Sequence, residues 1–365
     1  MADIKLGFGF YHHMLNDQGY QFARQCGATH AVVHLVDYFH NGAQAGENHP
    51  DNQPVGGSEG WGRAGATRDL WSYDSLVDIR DGLAVHGLKL YAIENFDPLD
   101  WYDVILGGPD RDRQLERIKQ IIRDVGRAGI PVIGYNFSIA GVAGRLKGPF
   151  ARGGAESVAV DGGDHAPLPQ GMVWNMWYKR QGEDNGGTNV PEASEAELWA
   201  RLEYFLRAAV PVAEAAGVRL AAHPDDPPFA TLRRQPRLVY THDRYQRLLD
   251  LVPSRANALE MCLGTLQEMQ DGDIYRTIER HVAARQVGYI HLRNVVGKVP
   301  AYHEAFLDEG DLDVVRVMRL LEKLDYDGVV IPDHTPLMAC AAPWHAGMAY
   351  AMGYLRALMQ TTRSR

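Results

Sequence analysis

Cysteine is scarce: Cys26, Cys262 and Cys340 are the three in 365 residues. So few and so scattered, they form no disulfide framework, and a reduced, cytoplasmic protein is expected. In that setting Cys262 is free to act as a thiol or thiolate. Positive charge is in deficit too. The 37 Lys and Arg stand against 46 Asp and Glu, for a formal net charge of −9. With no Lys/Arg-rich run, a nucleic-acid-binding surface is excluded. No apolar run approaches bilayer-spanning length, and residues 1–10 lack a basic region followed by a long apolar core. Neither a signal peptide nor a membrane partner is therefore expected. No Gly-x-Gly-x-x-Gly follows a strand and no Walker loop occurs, so nucleotide binding has no support.

What is present suits a globular chain, with 45% hydrophobic and 23% charged residues. The length exceeds a usual single domain but fits one barrel with insertions, so residues 1–365 read as a single domain. Eight short runs rich in apolar or β-branched residues recur, at 6–10, 31–36, 89–95, 131–137, 218–222, 258–262, 287–292 and 328–332. Each has strand length. Amphipathic segments separate most of them, with the clearest helical spacing at 115–128 and 197–216. Pro211 inside the second predicts a kink or a break into two helices. Strand and helix alternating eight times is the pattern of an α/β protein built as a (β/α)8 TIM barrel; a doubly wound open sheet is the alternative. Two stretches rich in Gly, Asn, Pro and Asp interrupt the rhythm, 40–68 after the second strand and 151–191 after the fourth. Long loops on that side of a barrel serve as lids or binding loops. The second carries Trp174, Trp177, Tyr178 and Arg180, aromatic and basic enough to close over a small anion.

Reactive side chains fall where a barrel would gather them. The fifth run leads into His223-Pro224-Asp225-Asp226-Pro227-Pro228, the sixth ends at Cys262, the seventh at His291 and the eighth at Asp333-His334. Proline fixes φ and restricts the residue before it, so the HPDDPP stretch is a rigid turn. Four neighbouring strand ends thus offer His, Cys, His and Asp around one rim. Neutral imidazole, thiolate and carboxylate make a complete ligand set for a divalent transition metal. Taken singly, each has a plainer role: a small buried hydrophobe for Cys262, a core histidine for His291, a helix cap for Asp333.

The segments PVAEAAGVRLAAHPDDPP, ALEMCLGT, YIHLRN, YHEAFLDEGDLD and IPDH closely resemble the mannonate dehydratase family of sugar-acid metabolism. GGPDRDRQLERIKQIIRDVGRAGIPVIGYNF is similar to that family's region around its third helix and fourth strand. The resemblance implies a xylose-isomerase-like TIM barrel, a homo-oligomer (dimer or higher), and a Mn2+ site held by His223, Cys262, His291 and Asp333. A thiolate with two imidazoles binds Zn2+, Co2+ or Ni2+ more tightly than Mn2+, and Mg2+ is a further option.

In that family water is removed from an aldonate, D-mannonate, giving 2-keto-3-deoxy-D-gluconate. Loss of the C2 proton builds a second negative charge into an enediolate, which a chelated divalent cation would stabilise. A base must take that proton and an acid must help the C3 hydroxyl leave. His334, beside a ligand, and His303 are the expected proton carriers. Arg293, two residues beyond His291 on the same strand face, is expected to clamp the substrate carboxylate. Tyr135, Asn136, Asp225, Glu304 and Trp177 are expected substrate contacts, with Asp225 and Asp226 also steadying His223. Two departures set the chain apart. Between His334 and the last helix it lacks the family's Gly-Tyr-containing loop, whose tyrosine is implicated in proton transfer; Tyr350 or His345 would have to substitute. The second strand ends in His34-Leu-Val-Asp37-Tyr38 instead of paired histidines. The expected function is a metal-dependent sugar-acid dehydratase. A sugar or keto-sugar isomerase, epimerase or lyase is the alternative, and a non-catalytic sugar-binding barrel is a third reading, against which the ligand set and His334 argue.

Overall fold

The computed structural model describes residues 2–39, 51–54, 60–179 and 188–362. Eight parallel strands form a closed barrel: β1 (Lys5–Tyr11), β2 (His30–His34), β3 (Lys89–Glu94), β4 (Val132–Tyr135), β5 (Arg219–Ala222), β6 (Asn257–Cys262), β7 (Val287–Leu292) and β8 (Val329–Pro332). Each pairs with the next in sequence and β8 returns to β1, so the open-sheet alternative falls. Helices follow the strands as the alternation predicts, among them α1 (Asp17–Gln25), α2 (Tyr73–Val85), α3 (Pro98–Leu106), α4 (Arg111–Arg127) and α5 (Glu195–Ala216).

The expected break in α5 is absent; the helix runs through Pro211. Ser194 and Glu197 close a capping box at its start, and Gly217 takes the left-handed φ of 69° at its end. Between them it buries Leu198, Leu202, Phe205, Leu206 and Val210. Burial contributes roughly 2 kcal/mol for each large apolar side chain. That sum exceeds the ~3 kcal/mol cost of an interior proline.

Strand alternation sorts the barrel's side chains into two cores. Outward positions pack with the helices. The inward positions Val32, Ala92, Val132, Ala221, Ala258, Tyr289, Val329 and Ile331 fill the barrel. Two residues further along these strands, on the same inward side, come His34, Glu94, Gly134, His223, Glu260, His291 and Asp333. A polar layer therefore rests directly on an apolar plug, at the end where barrel active sites lie.

The long connections build a second storey over that layer. Strands Arg145–Ala151 and Ala155–Asp161, after β4, join Asn294–Lys298 and Ala301–Ala305, after β7, in a four-stranded antiparallel sheet. A hairpin of Met172–Val173 and Met176–Trp177 follows. The connection after β2 is laced to it: the Trp61 N–H donates to the Asn175 carbonyl and the Trp177 N–H to the Gly62 carbonyl, both at 2.9 Å. Residues 40–50 and 55–59 of the first expected insertion, and 180–187 of the second with Arg180, lie outside the described residues. Among the described residues no helix is long and apolar enough to cross a membrane.

Candidate active site

A cavity opens over the polar layer, about 740 Å³ of space when its solvent-open mouth is included. Strand ends contribute Tyr11, His34, Glu94, His223, His291 and Asp333 to its wall; connections add Trp61, Asn136, Arg145, Trp174, Asp226 and His334.

His223, Cys262 and His291 bring one ligand atom each to within 4.8 Å of one another. Asp333 adjoins two of them, with Oδ2 3.7 Å from Cys262 Sγ and Oδ1 3.6 Å from His291 Nδ1. Register explains the gathering, since Cys262 lies opposite His291 across β6 and β7. His223 Nδ1 donates to the Pro224 carbonyl at 2.6 Å, which leaves Nε2 as its lone-pair donor. Burial alone would push the Cys262 thiol up, but the Arg293 guanidinium brings it down to about 5. Burial likewise opposes ionisation of Asp333, yet His334, His291 and Arg293 hold it far below the usual carboxylate range. Both His291 nitrogens are buried without a hydrogen-bond partner. Two imidazoles, a thiolate and a carboxylate of this kind fit a divalent transition metal.

Beside the ligands, His334 Nδ1 donates to Glu304 Oε1 at 2.8 Å, and Arg293 Nη1 donates to the same oxygen at 2.7 Å. Burial works against the Glu304 carboxylate, but His334 and Arg293 lower it to about 2, so it is an ionised acceptor. His334 Nε2 is left 3.5 Å from Asp333 Oδ1.

Several residues singled out in the sequence lie elsewhere. Arg293 is buried behind the cavity wall, against Asp226, Glu268 and Glu304 at 2.8, 3.0 and 2.7 Å, with Nε 3.4 Å from Asp333 Oδ2. Asp225 is consumed by the turn: Oδ2 accepts the Leu238 and Val239 N–H groups, and Oδ1 meets Arg237 Nε, all at 2.8 Å. Tyr135 has outward parity on β4 and packs on Phe205 of α5, whereas Asn136, one residue on, reaches the cavity. On strand Ala301–Ala305, Tyr302 and Glu304 face inward, which turns His303 out toward Phe150. Trp177 pairs its backbone with Gly62 and Ala64, and Trp174 supplies the indole at the wall. Neither substitute for the family's tyrosine lines the cavity: Tyr350 sits by Arg152, and His345 by Asp51.

Sequence reasoning missed Tyr11, His34, Glu94, Arg145 and Glu260. Arg145 Nη2 donates to Asp226 Oδ2 at 3.0 Å, while its buried Nε has no hydrogen-bond partner. Strand parity could have found Glu260 and Glu94, since Glu260 stands two residues before Cys262. Nothing in the spacing announces Arg145, which folds in from a connection.

The closed parallel barrel with its helices is the TIM-barrel fold, here of the xylose-isomerase-like kind. A xylose isomerase domain protein from Planctomyces limnophilus shares this fold at a TM-score of 0.56 and 11% identity, covering 99% of each chain. The sequence narrows the class further: a model of the D-mannonate dehydratase (UxuA) family matches residues 63–144 and 188–363, and the chain belongs to that family. Mannonate dehydratase of Streptococcus pneumoniae (strain 70585) is 32% identical over 277 residues, 72% of this chain and 74% of that one. The Thermotoga maritima mannonate dehydratase is 28% identical over 296 residues, covering 74% and 79%. The crystal structure of mannonate dehydratase from Streptococcus suis serotype 2 superimposes with a TM-score of 0.75 at 26% identity, covering 99% of this chain and 94% of that one.

Proposed function

We propose that the chain is a divalent-metal-dependent hydro-lyase that removes water from a sugar acid, D-mannonate first among them, giving 2-keto-3-deoxy-D-gluconate. The observation that carries this reading is the convergence of His223, Cys262 and His291 beside Asp333, in a cavity that His334 and Arg145 also line. The relatives' shared name supports the substrate class.

The chemical obstacle is the C2 proton, whose loss adds a second negative charge beside the carboxylate in an enediolate. His223, Cys262, His291 and Asp333 would hold Mn2+, or the more tightly bound Zn2+, Co2+ or Ni2+, whose contribution when bound is Lewis-acid stabilisation of that charge. The remaining tasks fall to side chains. Arg145, anchored on Asp226 with Nε unpartnered, takes the substrate carboxylate in place of Arg293. Asn136 meets the sugar hydroxyls from the end of β4. Glu304 fixes His334 by its Nδ1–H, so Nε2 is the atom that moves a proton at C2. Tyr11 lines the same wall and presents its phenol as the proton donor to the departing C3 hydroxyl. Trp61 and Trp174, with ring centroids 5.2 Å apart, exclude water from the reacting carbons.

The test is an assay of the purified, Mn2+-loaded chain against a panel of aldonates, following the 2-keto-3-deoxy acid. Turnover of D-mannonate is expected. No turnover of any aldonate, with proton exchange on a keto-sugar instead, would sink the reading in favour of an isomerase.

A further inference from the structure

Directly beneath the proposed ligands, the polar layer contains a second group of donors that the reaction above does not use. Glu94 from β3, Glu260 from β6 and His291 from β7 bring one ligand atom each to within 4.8 Å of one another. His291 Nε2 is 3.0 Å from Glu94 Oε2 and 3.3 Å from Glu260 Oε1. All three side chains are at least nine-tenths buried. Despite these short separations, both Glu260 oxygens and His291 Nε2 lack a hydrogen-bond partner. Two carboxylates thus converge on an imidazole nitrogen without satisfying it or themselves.

Charge makes this costly unless something sits among them. A buried carboxylate needs a cation or a full set of donors. Among the described residues, the ion-pair partners of Glu94 and Glu260 are His34, His223 and His291, never Lys or Arg. Arg293 is shared among Asp226, Glu268, Glu304 and the rim ligand Asp333, and pairs with neither Glu94 nor Glu260. A histidine that ligates a metal is neutral, so a filled upper site removes even the histidine charge. Among the described residues, no cationic side chain is then left beside the two glutamates. The backbone makes room for Glu260, because a Cβ on Gly134 would stand against its Oε2.

We propose that Glu94, Glu260 and His291 Nε2 form a second divalent-cation site, deeper in the barrel than the first and reached from the cavity that Glu94 and His291 line. His291 serves both positions through its two nitrogens, since Nδ1 is the one beside Asp333. Filling both releases the ring proton to solvent. The donor sets differ in kind. The upper site has a thiolate and suits a softer metal, whereas the lower has carboxylate oxygens and suits Mn2+ or Mg2+. The proposal does not depend on which sugar is the substrate.

Equilibrium dialysis of metal-free chain against Mn2+, followed by elemental analysis, decides it. Two equivalents per chain are expected for the wild type, one for Glu260→Gln and for Glu94→Gln, and fewer than one for His291→Ala. With Co2+ as probe, the thiolate-to-cobalt absorption band should persist in Glu260→Gln and vanish in Cys262→Ser, while Cys262→Ser keeps one equivalent. Melting of the metal-free variants establishes that each is folded; with two glutamate variants, one folded protein suffices. A single equivalent in saturated wild type overturns the second site and indicates a proton shared by the two glutamates. Two equivalents undiminished in both glutamate variants overturn it equally. Absence of the cobalt–thiolate band in the wild type would instead count against the upper site alone.

Discussion

Arg293 Nη2 meets Asp226 Oδ2 at 2.8 Å, with both side chains almost wholly withdrawn from solvent. The same carboxylate oxygen receives Arg145 Nη2 at 3.0 Å, so one aspartate of the HPDDPP turn carries two guanidiniums with different surroundings. Arg293 is enclosed by carboxylates, and Arg145 faces the cavity. Removing one partner of a buried ion pair costs about 3–5 kcal/mol. Arg293→Ala should therefore unfold at distinctly lower denaturant. Arg145→Ala leaves Asp226 paired, so it should melt close to the wild type and raise KM for the sugar acid by roughly 100-fold, the value of a lost charge-assisted contact. Melting curves beside steady-state kinetics separate the two, and equal behaviour would remove Arg145 from the substrate site. Residues 145–187 lie between the two segments matched by the family, so this clamp is carried by geometry alone.

Metal removal should lower both stability and turnover. A ligand bound to the folded state alone, at 100 times its Kd, stabilises by about 2.7 kcal/mol. Chelator treatment should reduce Tm by several degrees and abolish dehydration, with both recovered on adding Mn2+. Cys262→Ser and His223→Ala should keep only the part of that Tm response that the deeper site supplies. A response to Mn2+ undiminished in both variants would remove the rim ligands from the site.

Much of this arrangement was legible because a barrel imposes two rules. Strand ends meet at one rim, so His223, Cys262, His291 and Asp333 could be grouped from four separate stretches. Alternation of period two then places every second side chain inward. That rule also covers Glu94 and Glu260, yet neither sits at a motif, and a lone glutamate in a strand attracts no notice. What stayed hidden depends on approach between elements remote in sequence. Arg145 arrives from a sheet built jointly by the connections after β4 and β7, and its nearness to Asp226 spans 81 positions. Arg293 has the inward parity of His291, so it read as a substrate clamp. The carboxylates that enclose it come from the helix Leu263–Glu268, the HPDDPP turn, strand Ala301–Ala305 and the end of β8.

The proton-transfer assignments predict a split between kcat and KM. Loss of a general acid or base costs roughly 10²–10⁴ in rate. His334→Gln and Tyr11→Phe should each lower kcat by about that range, with KM little changed and Mn2+ still bound. Glu304→Gln should follow His334→Gln in kcat, because Glu304 acts through the imidazole it holds. A Tyr11→Phe enzyme with full kcat would exclude Tyr11 as the acid.

Acid stability should depend on a histidine far from the cavity. Burial, then Lys298, lowers His242 to about 4, and its Nδ1 lies 2.7 Å from the Thr277 hydroxyl. The unfolded chain takes up that proton near pH 6.5, so between pH 6.5 and 4 the unfolded state binds more protons. Stability contributed by neutral His242 is thus present above pH 6.5 and is lost as pH falls through 4. His242→Gln should flatten the pH dependence of unfolding in that window by up to roughly 1 kcal/mol per pH unit. Urea titrations of both proteins at pH 7, 5.5 and 4.5 read the difference directly. Parallel curves would show that His242 is not held neutral.

Gly134→Ala tests whether the polar layer is packed as tightly as it is charged. The added Cβ would stand 2.2 Å from Tyr289 Oη and 2.3 Å from Glu260 Oε2, distances at which one of them must move. Tyr289 belongs to the apolar plug below and Glu260 to the donors above, so neither side offers slack. Overpacking of this kind costs about 1–3 kcal/mol. Because Glu260 Oε1 lies 3.3 Å from His291 Nε2, the strain should reach the metal ligands as well as the core. The variant is expected to melt lower and to hold Mn2+ more weakly than an alanine introduced at Gly129, where a Cβ meets nothing within 4 Å. Gly129 itself has a φ of 76°, so the Gly129→Ala control will lose some stability through backbone strain but should keep its metal affinity. Loss of affinity in both, or in neither, would disconnect the inner layer from the metal site.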